Sequence, residues 1–320
     1  MTGEGPVFVA GIDRTGIGLV GEILDAHPRI SISRRTRFWS LYAGRLGDLS
    51  DPVAVRAAVA EMSKNRRIAD LGPDPDRIET EMAALGANAS DADLFRVIQE
   101  HHAERRGKAR WGDKSLDAEG HAATILGAYP DAAMVHVVRD PRDRHVSYAT
   151  HRGESRGGLG AATALWRWSA RLAAEHTDRW PDRYLVVRYE DLVAEPDKAI
   201  TGMCRFLGEE PDRAMFEVSS VPAGVEAGEA TAHPLTQESV GRHLTELDDA
   251  RTAYVEALAG TGMQRLGYAK RADLGHGRRA RLLLAHGPRH AAGYALWRLG
   301  RLARRDRPRD VSARRLVSGD

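Results

Sequence analysis

Val7-Phe8-Val9-Ala10-Gly11-Ile12-Asp13-Arg14-Thr15-Gly16-Ile17-Gly18 begins as an apolar strand and runs into a glycine-bearing loop, and Leu19-Val20-Gly21-Glu22-Ile23-Leu24 continues it with helical spacing. Strand, loop and helix in that order are the unit of a parallel sheet. Ala133-Met134-Val135-His136-Val137-Val138 and Tyr184-Leu185-Val186-Val187-Arg188-Tyr189 are two further buried-type strands, separated from the first by helical stretches. The pattern predicts an α/β fold in three layers, a parallel sheet with helices on both faces. Between Trp39 and Gly112 strand character is scarce, and helices are expected over 51–65, 78–85 and 91–106, with Ser90 and Asp93 capping the last. This helical insertion, about residues 40–110, follows the first βα unit and offers a place for a binding pocket. A further helix is expected over 163–179, with Leu165, Trp166, Trp168 and Leu172 apolar.

A chain of 320 residues, 42% of them hydrophobic, can bury a full core. Its one cysteine, Cys204, excludes an internal disulfide framework and a cysteine-based structural zinc site, and fits a cytoplasmic location. The apolar run after Pro6 is too short for a signal peptide core, and no uncharged stretch approaches the roughly 18 residues of a membrane span.

Charge is unevenly spread. Residues 269–320 hold fourteen Lys and Arg against four Asp, whereas the rest holds 33 basic and 41 acidic residues. The chain therefore divides into a main domain over 1–268 and a basic, Arg-rich helical tail over 269–320. Arginines and leucines interleave from Arg278 to Arg305, interrupted by Gly287-Pro288. That pattern suits a helix on an anionic membrane surface, or helices packed on the body with arginine outward. The acidic excess elsewhere and the lack of a nucleic-acid-binding motif argue against a nucleic-acid partner.

Glycines spaced as in Gly11–Gly18 let backbone amides close around a phosphate at a helix N-terminus, which makes the sheet P-loop-like. Gly11 and Gly16 match the kinase-type GxxxxGK[ST] spacing, but Ile17 and Gly18 stand where Lys and Ser/Thr would serve a γ-phosphate and Mg²⁺. A nucleotide kinase is thus the weaker enzymatic rival, and a strand-to-helix turn with no ligand is the plain alternative. Arg139 ends the second strand and Ser147 lies eight residues on, beyond Pro141. A bend there followed by a helix would bring a bidentate guanidinium and a hydroxyl to one anion; an Arg–Asp network at a helix start is the other option.

Together these segments resemble the sulfotransferase superfamily. Residues 7–18 are similar to its 5′-phosphosulfate loop, residues 133–147 to its 3′-phosphate loop, and Val187-Arg188-Tyr189-Glu190-Asp191-Leu192 with Phe206-Leu207-Gly208 to its RYEDL…FLG segment. Trp111-Gly112-Asp113-Lys114 resembles a W-x-[DE]-K element and Val240-Gly241-Arg242-His243 a late GRW element. These five segments occur in the family's order across about residues 6 to 268. The resemblance implies 3′-phosphoadenosine 5′-phosphosulfate as donor, no metal, and an acceptor hydroxyl on a small molecule, lipid or carbohydrate.

It also implies roles. Arg14, with Thr15 and Gly16 beside it, would hold the 5′-phosphosulfate, and Asp13, Ile17 and Gly18 would complete that loop. Arg139 and Ser147 would hold the 3′-phosphate, Arg242 would close over it, and Lys114 would sit near the transferred group. Tyr189, Glu190 and Asp191 would tie the phosphate loops in place. Three departures stand out. Asp13–Gly18 lacks two of the hydroxyl donors of the family's Pro-Arg-Ser-Gly-Thr-Thr loop. His243 replaces a tryptophan. Arg35 occupies the position of the Glu that serves as base in tyrosylprotein-type members, which opens the alternative of a binding protein that has lost catalysis. With Arg34 and Arg37, Arg35 suggests either an anionic acceptor or added donor contacts. His27 is read as a helix cap or packing residue.

Overall fold

The structure is a computed structural model that describes residues 4–153, 157–218 and 236–305; residues 306–320 of the basic tail lie outside the described part. The chain runs through β1 (Val7–Ala10), α1 (Ile17–Ala26), β2 (Ile30–Arg34) and a short α2 (Phe38–Leu41). The helical insertion follows as α3 (Pro52–Ser63), α4 (Arg66–Ala69), α5 (Pro75–Leu85) and α6 (Asp91–Arg105), and leads into β3 (Arg110–Lys114). Next come α7 (Ala122–Ala128), β4 (Ala133–Val138), α8 (Pro141–Arg152), α9 (Gly158–Arg179) and β5 (Tyr184–Arg188). The remainder is helical: α10 (Tyr189–Ala194), α11 (Pro196–Leu207), α12 (Arg213–Phe216), α13 (His243–Glu246), α14 (Asp249–Arg265) and α15 (His276–Arg305).

The five strands form one parallel sheet in the order β2-β3-β1-β4-β5. Alternation along β1 divides the core. Phe8 and Ala10 face one cluster, with Trp39, Phe95 and Trp111, whereas Val7 and Val9 face another, with Ile23, Val135 and Leu207. Burial on both faces explains why β1 and β4 read as continuous apolar runs. Helix starts follow local chemistry: Asp51, Asp74 and Asp140 each cap a helix with proline in its first turn, and Ser90 with Asp93 forms a complete capping box.

Two strands escaped the sequence reading. β2 is Ile-Ser-Ile-Ser-Arg: Ile30 and Ile32 join the α1 side of the core, while the buried Ser31 and Ser33 hydroxyls accept from Arg106 and Gln99 respectively. β3 is Arg-Trp-Gly-Asp-Lys, buried at every position, and its Arg110 and Asp113 side chains are paired. Arg110 donates to the Leu207 carbonyl and the Glu209 carboxylate, and Asp113 accepts from three hydroxyls. Paired polar side chains can occupy a sheet interior, but they erase the apolar signal by which strands are recognised.

The expected break at Gly287-Pro288 is absent. α15 continues through both residues; Pro288 lies on the exposed side, and the opposite side is held by the body. On that held side the Tyr254 and His290 rings lie 4.8 Å apart, and Arg279 reaches Glu256 of α14 at 2.6 Å.

Candidate functional site

The carboxyl ends of β1, β3 and β4 lie side by side, the usual place for a ligand in an open parallel sheet. At the end of β1 the chain turns through Arg14 at φ 70° and Gly16 at φ 94° into α1. A side chain at Gly16 would strike the Tyr189 ring, 2.5 Å from where its Cβ would stand. The strand-end tyrosine and the loop glycine are therefore fitted to each other. No side chain caps α1 and its first turn holds no acid, so its amide donors and positive dipole end remain available to an anion.

The loop is fastened from below. The buried Glu119 carboxylate accepts the Gly11 N–H at 3.1 Å, and the buried Arg144 donates to the Asp13 carbonyl at 2.8 Å. Burial pushes Glu119 up to about 7 and Arg144 down to about 10. The Thr15 hydroxyl donates to the Ile12 carbonyl at 2.8 Å, so it braces the turn. Ile17 packs into the core as the first residue of α1, and space beside Gly18 is open.

Arg14 points across to α8. Its Nε and Nη2 lie 3.0 and 2.9 Å from the Ser147 hydroxyl, and Nη2 lies 3.2 Å from His151 Nδ1. Arg139 joins them: Nη1 donates to the Arg14 carbonyl at 3.4 Å and Nη2 to the Ser239 carbonyl at 2.6 Å, with its guanidinium 4.5 Å from the centre of the Tyr189 ring. Arg139 Nε is buried with no hydrogen-bond partner, a donor that an anion in this crevice would satisfy. Thus Arg14 links the two segments beside the α1 N-terminus: its side chain bonds Ser147 of α8, and its carbonyl accepts from Arg139.

The backing of Arg139 is built from three elements. Glu190 accepts the Asp140 N–H and the Tyr268 hydroxyl, both at 2.8 Å, and Trp166 donates to the Arg139 carbonyl at 2.7 Å. Asp191 instead pairs with Arg188 at the surface. Arg242 sits one turn along α8 from Ser147, bonded to Glu246 at 2.7 and 2.8 Å and to the Thr150 hydroxyl at 3.4 Å. Its segment is pinned by Asp143, which accepts from the Gly241 and His243 amides and lies 2.7 Å from His243 Nδ1. Burial alone would raise the Asp143 carboxyl; these bonds outweigh it and hold it below the usual range.

Lys114 ends β3, buried, with its stem running over α1 where a Cβ on Gly21 would lie 2.8 Å from Lys114 Cδ. Burial first, then the neighbouring Arg35 and Arg34 charges, lower its ammonium to about 8. Arg35 is exposed at φ 56° and its amide donates to the Lys114 carbonyl at 2.6 Å. Arg37 is also left-handed, at φ 54°, and stands 3.9 Å from Asp117 at φ 67°. Among the described residues the only non-glycine positive-φ positions are Arg14, Arg35, Arg37 and Asp117, all in the loops that follow β1, β2 and β3. Strain gathered in one place is characteristic of a functional site. Asp113 holds the β2 loop by accepting from Ser33, Thr36 and Ser115, and Ser115 in turn accepts the Arg37 amide.

The family model of the Sulfotransferase family matches residues 6–213, a span that contains the loops after β1 and β4 and the Lys114 strand. The chain belongs to the sulfotransferase family. Protein-tyrosine sulfotransferase 2 of Gallus gallus is 22% identical over 208 residues, which cover 63% of this chain and 50% of the relative. This sulfotransferase family member therefore spans about half the length of that curated relative. Among solved structures it is similar to the sulfotransferase domain of the Synechococcus PCC 7002 olefin synthase, at 22% identity and a TM-score of 0.52, covering 83% of this chain and 96% of that one. Mouse sulfotransferase SULT7A1 complexed with PAP is matched at 13% identity and a TM-score of 0.46, over 83% and 87% of the two chains.

Several supporting residues of this sulfotransferase family member gave little sequence signal. Glu119 and Arg144 had nothing to mark them, and Trp166 was read only as an apolar helix position, yet each bonds a loop backbone atom distant in sequence. His243 was visible only as a missing tryptophan. His27 caps α1 with Nε2 3.0 Å from the Glu210 carbonyl, away from the crevice.

Proposed function

We propose that the protein transfers the sulfuryl group of 3′-phosphoadenosine 5′-phosphosulfate to an acceptor hydroxyl. What supports this reading is Arg14 at the open N-terminus of α1, its side chain bonded to Ser147 and its carbonyl to Arg139, whose buried Nε has no partner, with Lys114 on the adjacent strand end. Arg139 and Ser147 would take the 3′-phosphate, and the loop amides with Arg14 the 5′-phosphosulfate. Lys114 would stand at the bond that breaks.

In the reaction the acceptor oxygen attacks sulfur as the bond from sulfur to the phosphate oxygen breaks. The acceptor's proton passes to solvent, and 3′,5′-adenosine bisphosphate departs with the bond's electron pair. Charge grows on the bridging oxygen, where Arg14 and Lys114 supply cations in a partly desolvated crevice. Alignment of donor and acceptor supplies the rest of the acceleration, as in phosphoryl transfer. The acceptor would enter beside Arg35 and Arg37, in the loop that follows β2.

A second reading, donor binding without transfer, is favoured by Arg35 at the family's base position. One experiment separates the two. Acceptors are incubated with donor and protein, and mass spectrometry follows the gain of one SO₃ along with release of the bisphosphate. Bisphosphate affinity without any sulfated product across acceptor classes would support the binding protein.

A further inference from the structure

α15 has two unlike faces. The inner one packs on α9 and α14, with the His290 carbonyl against Gly160 and Arg279 bonded to Glu256. On the outer one Leu284, Leu296 and Leu299 are 80%, 70% and 62% exposed. At 100° per residue these three fall within one third of the helix circumference, together with Pro288, Ala292 and Ala295. Arg289 borders that stripe on one side, Arg298 on the other, and Arg281 lies within it. The helix carries eight arginines and no carboxylate over its 30 residues.

We propose that the outer face of α15 docks on an anionic lipid surface, the helix lying in the plane of the headgroups. Leucines set about 22 Å apart along the axis, at about 1.5 Å per residue, would insert as a row, and the flanking arginines would meet the lipid phosphates. Charge selects the occupant. A second copy of this chain would bring the same eight arginines against these, and like charges at close range oppose pairing. A polyanion without an apolar phase would leave the leucines in water. No helix among the described residues is long and apolar enough to cross a membrane, so the contact is peripheral. This inference is independent of the reaction at the sheet edge.

Co-sedimentation of the full-length chain tests it, with vesicles of phosphatidylglycerol and phosphatidylcholine in equal parts and with phosphatidylcholine alone, at low salt. The wild type should sediment with the anionic vesicles only. The triple variant Leu284→Ser, Leu296→Ser, Leu299→Ser should lose roughly tenfold or more in partition coefficient, since burial of each leucine drives insertion. Arg281→Glu, Arg289→Glu, Arg298→Glu should bring it to background. Because all six side chains point outward, the near-ultraviolet circular dichroism should be unchanged, and any variant that alters it is replaced by the three single substitutions. Binding that ignores lipid charge, survives the leucine triple or is absent in the wild type overturns the proposal. So does a leucine-dependent dimer seen by sedimentation equilibrium without lipid.

Discussion

Glu119 Oε2 lies 3.1 Å from the Gly11 amide, which ties the first residue of the loop after β1 to a carboxylate with no solvent exposure. Its other oxygen accepts from the Ser169 hydroxyl, which stands 2.9 Å from His136 Nε2; His136 Nδ1 in turn lies 2.8 Å from the Tyr184 hydroxyl. Burial lowers His136 to about 3, so its ring is neutral and brings Glu119 no countercharge. The loop therefore rests on a carboxyl that burial holds near 7.

The sign of the resulting pH dependence is set. In the folded protein Glu119 ionises near 7, above the usual carboxylate value, so unfolding releases its proton at intermediate pH. Stability from this group is greatest below about pH 4.5, falls as pH rises towards 7, and is flat beyond. Glu119→Gln removes that slope, so the variant should gain on the wild type by up to about 3 kcal/mol between those limits. Urea unfolding of both proteins at a series of pH values measures the difference. Parallel curves for the two would show that Glu119 is not the group concerned.

Arg139→Ala should discriminate between nucleotides. A charge-assisted bond to a partly buried anion is worth roughly 1.5–3 kcal/mol, so affinity for 3′,5′-adenosine bisphosphate should fall about tenfold or more. Adenosine 5′-monophosphate, which has no 3′-phosphate, should be little affected. Calorimetry on both ligands decides the point, and equal losses would place Arg139 elsewhere than at the 3′-phosphate.

Lys114, lowered to about 8, is mostly charged at neutral pH and loses that charge as pH rises through 8. The kcat/KM of the free enzyme should therefore decline above about pH 8. In kcat the same limb should lie higher, because the bound donor's negative charge favours the ammonium. Lys114→Arg should abolish the limb, and Lys114→Ala should slow turnover much more than it weakens donor binding. A wild-type profile flat to pH 10 would remove Lys114 from the reacting bond.

Arg35→Glu restores the carboxylate of the family's base position, yet it should not restore a base function. The Arg35 backbone is left-handed and fixed to the Lys114 carbonyl, and its guanidinium contributes to the cationic field at Lys114. A guanidinium cannot accept a proton. On the proposed reading Arg35 acts electrostatically, so reversing its charge should raise Lys114's proton affinity and weaken an anionic acceptor's hold. Steady-state kinetics should show lower acceptor kcat/KM in Arg35→Glu. A several-fold rise in turnover would instead identify a degraded version of the usual site.

The sequence by itself determined the strand-loop-helix unit at Val7–Gly18, the apolar strands at 133–138 and 184–188, the capped helices of the insertion and the order of the phosphate-loop segments. All of these are local: strand alternation, capping chemistry and glycine spacing act between residues a few positions apart. The fold decided the rest. It made Ile30–Arg34 and Arg110–Lys114 into strands by pairing their polar side chains with Gln99, Arg106 and Glu209, partners far along the chain. It carried α15 through Pro288 by holding one side of the helix against α9 and α14. Likewise it put Glu119 under Gly11, 108 residues apart, and Arg14 against Ser147, 133 residues apart. A buried hydrogen bond satisfies two groups that the chain presents separately, so neither residue alone announces it.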